Sequence, residues 1–290
     1  MGTDVHIVVV GDPALAKRTE DEIRAYEARW SRFVPTSELC RLNAAAGEAV
    51  ELAPDTFALI ELAVSLWRDT TGLFDPSVLD ALVAAGYDRS YEEVVGRDLP
   101  ASPAAPVPRL AEVELDPRAR TVQLPAGLHL DLGGIGKGHT ADLVSDSLIA
   151  WGAAGALVNM GGDLTARGDP PEGDTWVIAI EVEPVVEVAV VHGAVTTSTT
   201  LRRRWTVEGR PMHHLIDPRA GQPATSGLAT VSVVGPSAAT AEVYAKAVLI
   251  AGLDAGAALL EGAGLTGLAV ADDGTVSRFA GFDACEVHRG

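Results

Sequence analysis

Short β-branched runs and longer stretches with helical spacing follow each other along the chain. Residues 4–10 are apolar enough for a buried strand, and the Gly-Asp-Pro that follows opens a predicted helix whose apolar positions extend to Trp30. A second predicted helix begins at Pro54 and carries its apolar residues on one stripe. Residues 97–108 contain four prolines and no periodic pattern, which predicts a surface loop.

The second half of the chain is richer in predicted strands. Four short runs are separated by Gly, Pro or Asp: residues 156–160, 176–182, 185–191 and 229–234. Two predicted helices, at 237–252 and 254–260, precede a final hairpin at 268–279. Strands and helices occur in pairs without regular β-α-β alternation. This order predicts an α+β fold with mixed, largely antiparallel sheets packed with helices, rather than a doubly wound one.

Size and charge limit the organisation and the partners. A chain of 290 residues, 47% hydrophobic and 21% charged, can bury a sizeable core. We expect a single domain over residues 1–290, with two intimately packed subdomains as the alternative. The formal charge of −18 argues against nucleic acid and anionic membrane surfaces as partners, because both carry the same sign.

The sequence contains no membrane span and no disulfide framework. No apolar stretch approaches the roughly 20 residues that cross a bilayer, and the first residues include no basic leader. We therefore expect a cytoplasmic protein as the sequence stands, with export only if an upstream leader has been removed. Cys40 and Cys285 lie far apart and in no metal-binding or redox spacing.

Two adjacent histidines lie in a segment stiffened by proline, residues 209–223. Gly221 offers the positive φ that a tight turn after Asp217 and its following proline needs. If the backbone around them is extended, His213 and His214 point to opposite faces, so that at most one can serve a given site. The alternative to a catalytic site is a loop with one packed and one solvated histidine.

A glycine-rich stretch, residues 133–142, is the second candidate segment. It matches neither a Walker A loop nor a dinucleotide fingerprint, because other residues hold the required Gly and Ser/Thr positions. Backbone N–H groups at a helix starting near Thr140, beside Lys137, predict an anion site. Residues 159–163 form a second segment where the backbone is predicted to come close to a ligand. The alternatives are a bulge at Gly161-Gly162 and a solvated charge at Lys137.

Four motifs occur in one order along the chain: residues 37–43 (SELCRLN), 72–77 (GLFDPS), 131–138 (DLGGIGKG) and 214–223 (HLIDPRAGQP). Together they resemble the flavin transferases of the ApbE type, which are FAD:protein FMN transferases. With Asn159 to Asp163, Thr197-Ser198 and the helix from Ser237, the resemblance covers nearly the whole chain.

The resemblance implies an enzyme that binds FAD and transfers its FMN moiety to a threonine hydroxyl of an acceptor protein, with release of AMP. His214 matches the catalytic histidine and would take the threonine proton, whereas His213 matches a variable position. Asp217 would orient the loop or the imidazole. The positions expected to bind the flavin dinucleotide are Asn43, Asp75, Lys137, Gly161, Gly162, Asp163, Thr197, Ser198 and Asp217.

The resemblance also implies a Mg²⁺ ion at the pyrophosphate, and here the chain departs from the family. Glu242 and Lys246 replace the Asp and Thr that commonly bind the metal together with the backbone carbonyl at Gly136. Glu242 and Lys246 share one helix face, so the Lys246 ammonium is predicted to take the place of the ion and to make FAD binding independent of Mg²⁺. The alternative is an ordinary surface pair.

Two other functions remain open at this level. The altered metal positions suggest an FAD-binding protein without transferase activity. If water replaces the threonine hydroxyl, the same site would give an FAD pyrophosphatase.

Overall fold

The computed structural model describes residues 3–100, 102, 105, 107 and 110–288. The described chain divides into two compact units, each assembled from separate stretches of sequence. Unit 1 comprises residues 26–136 and 200–225, and unit 2 comprises residues 3–25, 137–199 and 226–288. Among these residues, no helix combines the length and the apolar character that crossing a bilayer requires.

The helices are α1 (Ala14–Trp30), α2 (Glu38–Asn43), α3 (Pro54–Asp69), α4 (Leu79–Ala84), α5 (Tyr91–Val94), α6 (Gly136–Ala150), α7 (Ala238–Ala251) and α8 (Leu253–Ala263), with 3-10 turns at Leu110–Glu112 and Phe282–Ala284. The strands are β1 (Val5–Val10), β2 (Ala49–Glu51), β3 (Asp98–Leu99), β4 (Glu114–Asp116), β5 (Thr121–Gln123), β6 (Gly155–Met160), β7 (Asp163–Gly168), β8 (Trp176–Ile180), β9 (Val186–Val190), β10 (Gly193–Thr199), β11 (Arg204–Val207), β12 (Arg210–His213), β13 (Ile216–Asp217), β14 (Gln222–Pro223), β15 (Leu228–Gly235), β16 (Thr266–Ala271) and β17 (Val276–Arg278).

A seven-stranded sheet forms the centre of unit 2, in the order β1-β6-β7-β10-β15-β16-β17. Every neighbouring pair is antiparallel. The first six residues of β15 are buried, although successive side chains point to opposite faces, so this strand is covered on both sides. Helix α7 packs against β10 and β15, and the β8–β9 hairpin adds Trp176, Ile178 and Val188 to an apolar cluster on the sheet.

Helix α7 is buried over almost its whole length. It is rich in alanine and apolar residues on all sides, as expected for a helix that packs against a sheet and also against α8. Ser237 caps its start, because the hydroxyl accepts a hydrogen bond from Thr240 N at 3.2 Å. A buried helix has few places for charge, and the two charged residues of α7, Glu242 and Lys246, are therefore informative.

Unit 1 is built from small sheets and helices. Its sheets are β2-β5-β4, β12-β11-β3 and the pair β13-β14. Trp205 on β11 anchors one core: its indole N–H donates to Ala85 O at 2.7 Å, and its ring stacks on Tyr87 at 5.3 Å between centroids. Residues of α4 and β13 join this core, which ties the histidine segment to the body of the unit.

The observed α+β architecture, with antiparallel sheets, confirms the predicted fold class. Two local predictions were wrong, and two strands were missed. Part of the proline-rich segment is not a loop, because β3 pairs in parallel with β11; other residues of that segment lie outside the described residues. Strands β7 and β10 were not predicted, since Ala and Gly, together with Asp163 and Arg167 in β7, interrupt the β-branched pattern. Helix α6 starts at Gly136 instead of Thr140.

Candidate functional site

Two lysines and two buried carboxylates lie together in unit 2. Lys137 Nζ contacts Asp163 Oδ2 and lies 3.1 Å from Glu242 Oε1, and Lys246 Nζ lies 3.6 Å from the same Glu242 oxygen. The side chains of Glu242 and Asp163 are 1% and 2% exposed, whereas those of Lys137 and Lys246 are 18% and 16% exposed. We call these four side chains the lysine–carboxylate cluster. Solvent reaches the ammonium groups more easily than the carboxylates.

A two-residue glycine turn brings Asp163 into this cluster. Gly161 and Gly162 have φ values of +67° and +102° and connect β6 to β7, with Met160 paired to Asp163 across the turn. Positive φ at both central residues is the requirement of a tight hairpin turn, which glycine meets without strain. Asn159 Oδ1 accepts a hydrogen bond from Gly162 N at 2.8 Å. The two glycines therefore form a regular turn, and the alternative of a bulge is wrong.

Helices α6 and α7 approach each other backbone to backbone beside the cluster. A Cβ atom on Gly138 would overlap the carbonyl oxygen of Ala238 and lie 2.8 Å from Ala239 N. The Gly138 N–H donates to Glu242 Oε2 at 2.9 Å. The sequence predicts that amides at this helix start bind an anion, but the structure gives the Gly138 amide to a carboxylate. Positive charge for an anion comes instead from the lysine side chains.

Asp142 holds the start of α7 and was not predicted as a site residue. Its Oδ1 accepts from Ala238 N at 2.9 Å, and its Oδ2 accepts from Ala239 N at 3.0 Å. Thr165 Oγ1 donates to the same Oδ1 at 2.6 Å, and Arg167 Nη2 lies 3.4 Å away. The sequence feature that could have indicated this role is a charged residue directly before the apolar pair Leu143-Val144 in α6. Asp142 positions α7, and thereby Glu242, relative to α6.

Electrostatics favour the ionised form of Glu242. Burial raises the pKa of this carboxyl, but Lys137, Lys246 and the Gly138 amide outweigh burial and hold the pKa below its ordinary value. Glu242 is therefore a carboxylate at neutral pH, compensated by two ammonium groups. Removing one partner of such a buried pair typically costs about 3–5 kcal/mol, because the other charge is left uncompensated.

The cluster does not fit a Mg²⁺ ion as it stands. Mg²⁺ requires near-octahedral oxygen ligands, whereas a protonated lysine has no lone pair to offer. Lys137 contacts both carboxylates and already supplies them with a cation. Asp163 Oδ1, a buried oxygen that accepts no hydrogen bond from the described residues, is a feature that would suit an added cation. No group of three or more His, Cys, Asp or Glu side chains within the described ranges is arranged to hold a metal. Gly136, whose carbonyl was predicted as a ligand, is the first residue of α6.

The predicted hydroxyl residues Thr197 and Ser198 lie on β10 in unit 2. Thr197 Oγ1 and Ser232 Oγ, on the neighbouring strand β15, lie 2.8 Å apart in a hydrogen bond. Ser198 is 5% exposed. Thr199 Oγ1 lies 2.9 Å from Thr230 Oγ1 in a hydrogen bond of the same kind. In this structure the hydroxyls of Thr197 and Thr199 link β10 to β15.

The histidines of unit 1 lie at the end of β12 and the start of a hairpin. His213 Nε2 lies 3.0 Å from Ala224 O, and Leu215 N–H donates to His213 Nδ1 at 3.3 Å. His214 follows directly and is partly buried. We call residues 213–224 the histidine hairpin.

Asp217 forms the corner of the histidine hairpin. Its carboxylate accepts from Arg219 N at 2.9 Å and from Arg219 Nη2 at 2.8 Å. Burial raises the pKa of Asp217, but the Arg219 hydrogen bonds outweigh it and leave the pKa below its ordinary value. Gly221, at φ +62°, donates its N–H to Asp217 O at 2.8 Å, which confirms the predicted turn. The carboxylate of Asp217 thus shapes the loop.

Asn43 and Asp75, the other predicted FAD positions of unit 1, make local backbone contacts. Asn43 Oδ1 accepts from Leu130 N at 2.8 Å and its Nδ2 donates to Leu130 O at 2.9 Å, so the amide pairs with the backbone like a neighbouring strand. Asp75 Oδ1 accepts from the Ser77 amide at 2.8 Å and hydroxyl at 2.6 Å. Burial raises the pKa of Asp75, against these hydrogen bonds. Both side chains fix the segments that carry the family motifs.

The structure is thus that of an α+β protein with a central antiparallel sheet. Helices α6 and α7 are in close contact at Gly138, beside the buried lysine–carboxylate cluster, and a separate segment forms the histidine hairpin. A sequence model described as the ApbE family matches residues 1–269. The chain therefore belongs to the ApbE family.

Named relatives and solved structures agree with this membership. An FAD:protein FMN transferase of Klebsiella pneumoniae is 30% identical over 260 residues, which cover 86% of this chain and 79% of that protein. The crystal structure of the ApbE protein from Thermotoga maritima superposes with a TM-score of 0.89 at 26% identity, covering 99% of this chain and 97% of that chain. The apo flavinyl transferase ApbE of Pseudomonas stutzeri gives a TM-score of 0.81 at 25% identity, covering 97% and 96%.

Proposed function

We propose that the protein is a transferase that moves the FMN moiety of FAD to a threonine hydroxyl of an acceptor protein. In this step a base takes the proton of the threonine Oγ, and a bond forms between Oγ and the FMN phosphorus. The bond from that phosphorus to the bridging oxygen of FAD breaks, and AMP leaves with that oxygen. Family membership and the named transferase relatives support this reaction.

The lysine–carboxylate cluster is the observation that carries the proposal. Phosphoryl transfer depends chiefly on positioning and on neutralising charge, and it needs no covalent nucleophile from the enzyme. Lys137 is held on α6 by two buried carboxylates, while part of its side chain remains open to solvent. An ammonium group held in this way is preorganised to meet a phosphate. We assign unit 2 the binding of the pyrophosphate.

The histidine hairpin supports the assignment of His214 as the base. The turn of the hairpin is held by Asp217, Arg219 and Gly221, and His214 lies three positions before Asp217. A positioned general base typically contributes about 10²–10⁴-fold to a proton-transfer step. We assign His214 the role of this base.

We also propose that FAD binding by this chain does not depend on Mg²⁺. Glu242 is already compensated by Lys137 and Lys246, and the ammonium of Lys246 lies within 3.6 Å of the oxygen that a metal would need. The two ammonium groups of the cluster are balanced by its two carboxylates, so they can donate hydrogen bonds to phosphate oxygens but bring no surplus charge, and they cannot gather several oxygens as Mg²⁺ does.

The decisive experiment mixes purified protein with FAD and a candidate acceptor domain that contains an exposed threonine. The proposal expects AMP and acceptor-bound flavin in equal amounts, the latter surviving denaturation. A Thr→Ala acceptor should remain unlabelled. Without acceptor, steady release of AMP and FMN would indicate a pyrophosphatase. Tight FAD binding with neither product would indicate a flavin-binding protein and would contradict the transferase proposal.

A further inference from the structure

His213 joins two parts of the histidine hairpin that are distant along the chain. Leu215 N–H donates to its Nδ1, and its Nε2 lies within hydrogen-bond distance of the Ala224 carbonyl. Ala224 N–H donates in turn to Leu215 O at 2.9 Å. Leu215 and Ala224 are 2% and 7% exposed, so water competes little for these bonds. One imidazole therefore closes a ring of three hydrogen bonds around the backbone that follows His214.

The partners determine the tautomer of His213. A backbone carbonyl can only accept, so Nε2 must carry the hydrogen; a backbone N–H can only donate, so Nδ1 must be bare. The ring is thus neutral, with its hydrogen on Nε2. A protonated ring would direct an N–H at the Leu215 N–H and lose that bond.

We propose that His213 is a positioning residue for the transfer reaction, acting through His214. This inference rests on the proposed function, because it assumes that His214 is the base. His214 lies between His213 and Leu215, and the His213 ring fixes the amide of Leu215 directly after it. Without the ring, the peptide that orients His214 can rotate. Small errors in the placement of a reacting group reduce the rate steeply, by up to about 10²-fold for a displacement near 1 Å.

The first measurement compares His213→Ala and His213→Gln with wild type. Gln places an amide N–H near the position of Nε2 and keeps the donor to Ala224 O, whereas Ala keeps neither bond. We expect kcat for FMN transfer to fall about 10-fold in His213→Ala, with an intermediate fall in His213→Gln and an FAD Kd unchanged within 2-fold. His129→Ala is the matched control, because His129 is a partly exposed histidine of the same unit that pairs with Asp80. It should retain the wild-type rate.

The second measurement repeats His213→Ala in a His214→Ala background. A residue that acts only through His214 has no effect once that imidazole is gone, so the two losses should not add. If His213→Ala slows the His214→Ala protein by the same factor as wild type, the inference is overturned and the proposed base stands. A wild-type rate in His214→Ala itself would remove the base assignment and the inference with it.

Amide exchange at Leu215 gives a readout that does not depend on activity. The exchange rate of the Leu215 N–H, measured by NMR, should rise at least 10-fold in His213→Ala, while amides of β11 remain unchanged. Unchanged exchange at Leu215 would overturn the inference even if the transfer rate falls. Increased exchange across all of unit 1 would show a general loss of structure and would overturn it equally.

Discussion

The lysine–carboxylate cluster and the histidine hairpin are built in opposite ways. The cluster joins residues far apart in sequence: 26 positions separate Lys137 from Asp163, and 104 separate Gly138 from Glu242. The hydrogen bonds described above for the hairpin are local, since the one from His213 to Ala224 spans 11 positions, although Ile216 also packs into the core with α4. The cluster is mostly buried, and the hairpin is partly exposed.

Because of this difference, the hairpin and the cluster should respond differently to substitution. The turn of the hairpin is shaped by proline, by the hydrogen bonds between Asp217 and Arg219, and by Gly221, all within a few residues. A substitution there therefore alters local geometry. The cluster exists only because α6, α7 and β7 are correctly packed. We therefore expect hairpin variants to lose rate while the fold persists, and cluster variants to lose stability and FAD binding together.

The sharpest test on the hairpin side is His214→Ala. Removing a general base should lower FMN transfer by about 10²–10⁴-fold. FAD affinity, followed by flavin fluorescence, should stay within a few-fold of wild type. A comparable loss of FAD binding would show that the hairpin and the cluster are not separate in function.

The corresponding test of the cluster is Lys137→Met. It leaves Asp163 and Glu242 buried with one ammonium fewer, so the free energy of unfolding in urea should fall by about 3–5 kcal/mol. Lys17→Met, at an exposed lysine of α1, is the control and should change stability by less than about 0.5 kcal/mol. Equal stability of the two variants would mean that the cluster is not a buried charge network.

Gly138→Ala tests the close approach of α6 and α7 without changing any charge. The added methyl group meets backbone atoms of Ala238 and Ala239, so we expect a loss of about 1–3 kcal/mol and weaker FAD binding. Gly262→Ala on α8, where a Cβ would meet nothing within 4 Å, should be neutral or stabilising by up to about 1 kcal/mol. Thermal unfolding of both variants measures the contrast.

The pH dependence of the free energy of unfolding tests the hairpin through Asp217, with a smaller expected effect than the variants above. The pKa of Asp217 is held below its ordinary value in the folded state, so its stabilising contribution is present above the unfolded pKa of about 4. That contribution is lost as pH falls through the lower folded pKa. In Asp217→Asn this part of the pH dependence should disappear, at a cost under about 1 kcal/mol at pH 7 because Arg219 is exposed. An unchanged acid profile would contradict this contribution.

The smallest expected effect is that of metal removal on FAD binding. With Lys246 beside Glu242, the FAD Kd measured in EDTA and in Mg²⁺ should agree within about 2-fold, a difference below roughly 0.4 kcal/mol. The double variant Glu242→Asp, Lys246→Thr should become Mg²⁺-dependent. If wild-type binding collapses in EDTA and recovers with Mg²⁺, Lys246 does not replace the ion.

Sequence alone predicted the local features and missed the long-range ones. The turn at Gly221 and the helices α7 and α8 follow from short-range chemistry, and the structure contains them. Strand β7, which begins with Asp163, could not be recognised because four of its six residues are Asp, Ala, Arg and Gly, and it depends on β6 and β10 for pairing. The role of Asp142 requires knowing that α7, about a hundred residues later, starts beside it.

Helix α6 was predicted to begin too late for a related reason. Glycine is unfavourable within helices, so propensity places the start at Thr140. The structure begins the helix at Gly136 and keeps Gly138 inside it, because only a residue without a side chain lets α7 come this close. Tertiary packing overrides the local preference at this position.

The contact at Gly138 also limits how this chain can vary. The atoms that exclude a side chain there are the carbonyl and amide of Ala238 and Ala239, which every amino acid shares. No exchange of a neighbouring side chain can make room, so a genetic screen for revertants of Gly138→Ala should not recover changes at Ala238 or Ala239 themselves. Suppressors should instead fall in the segment before α7, where Ser237 caps the helix, or restore glycine.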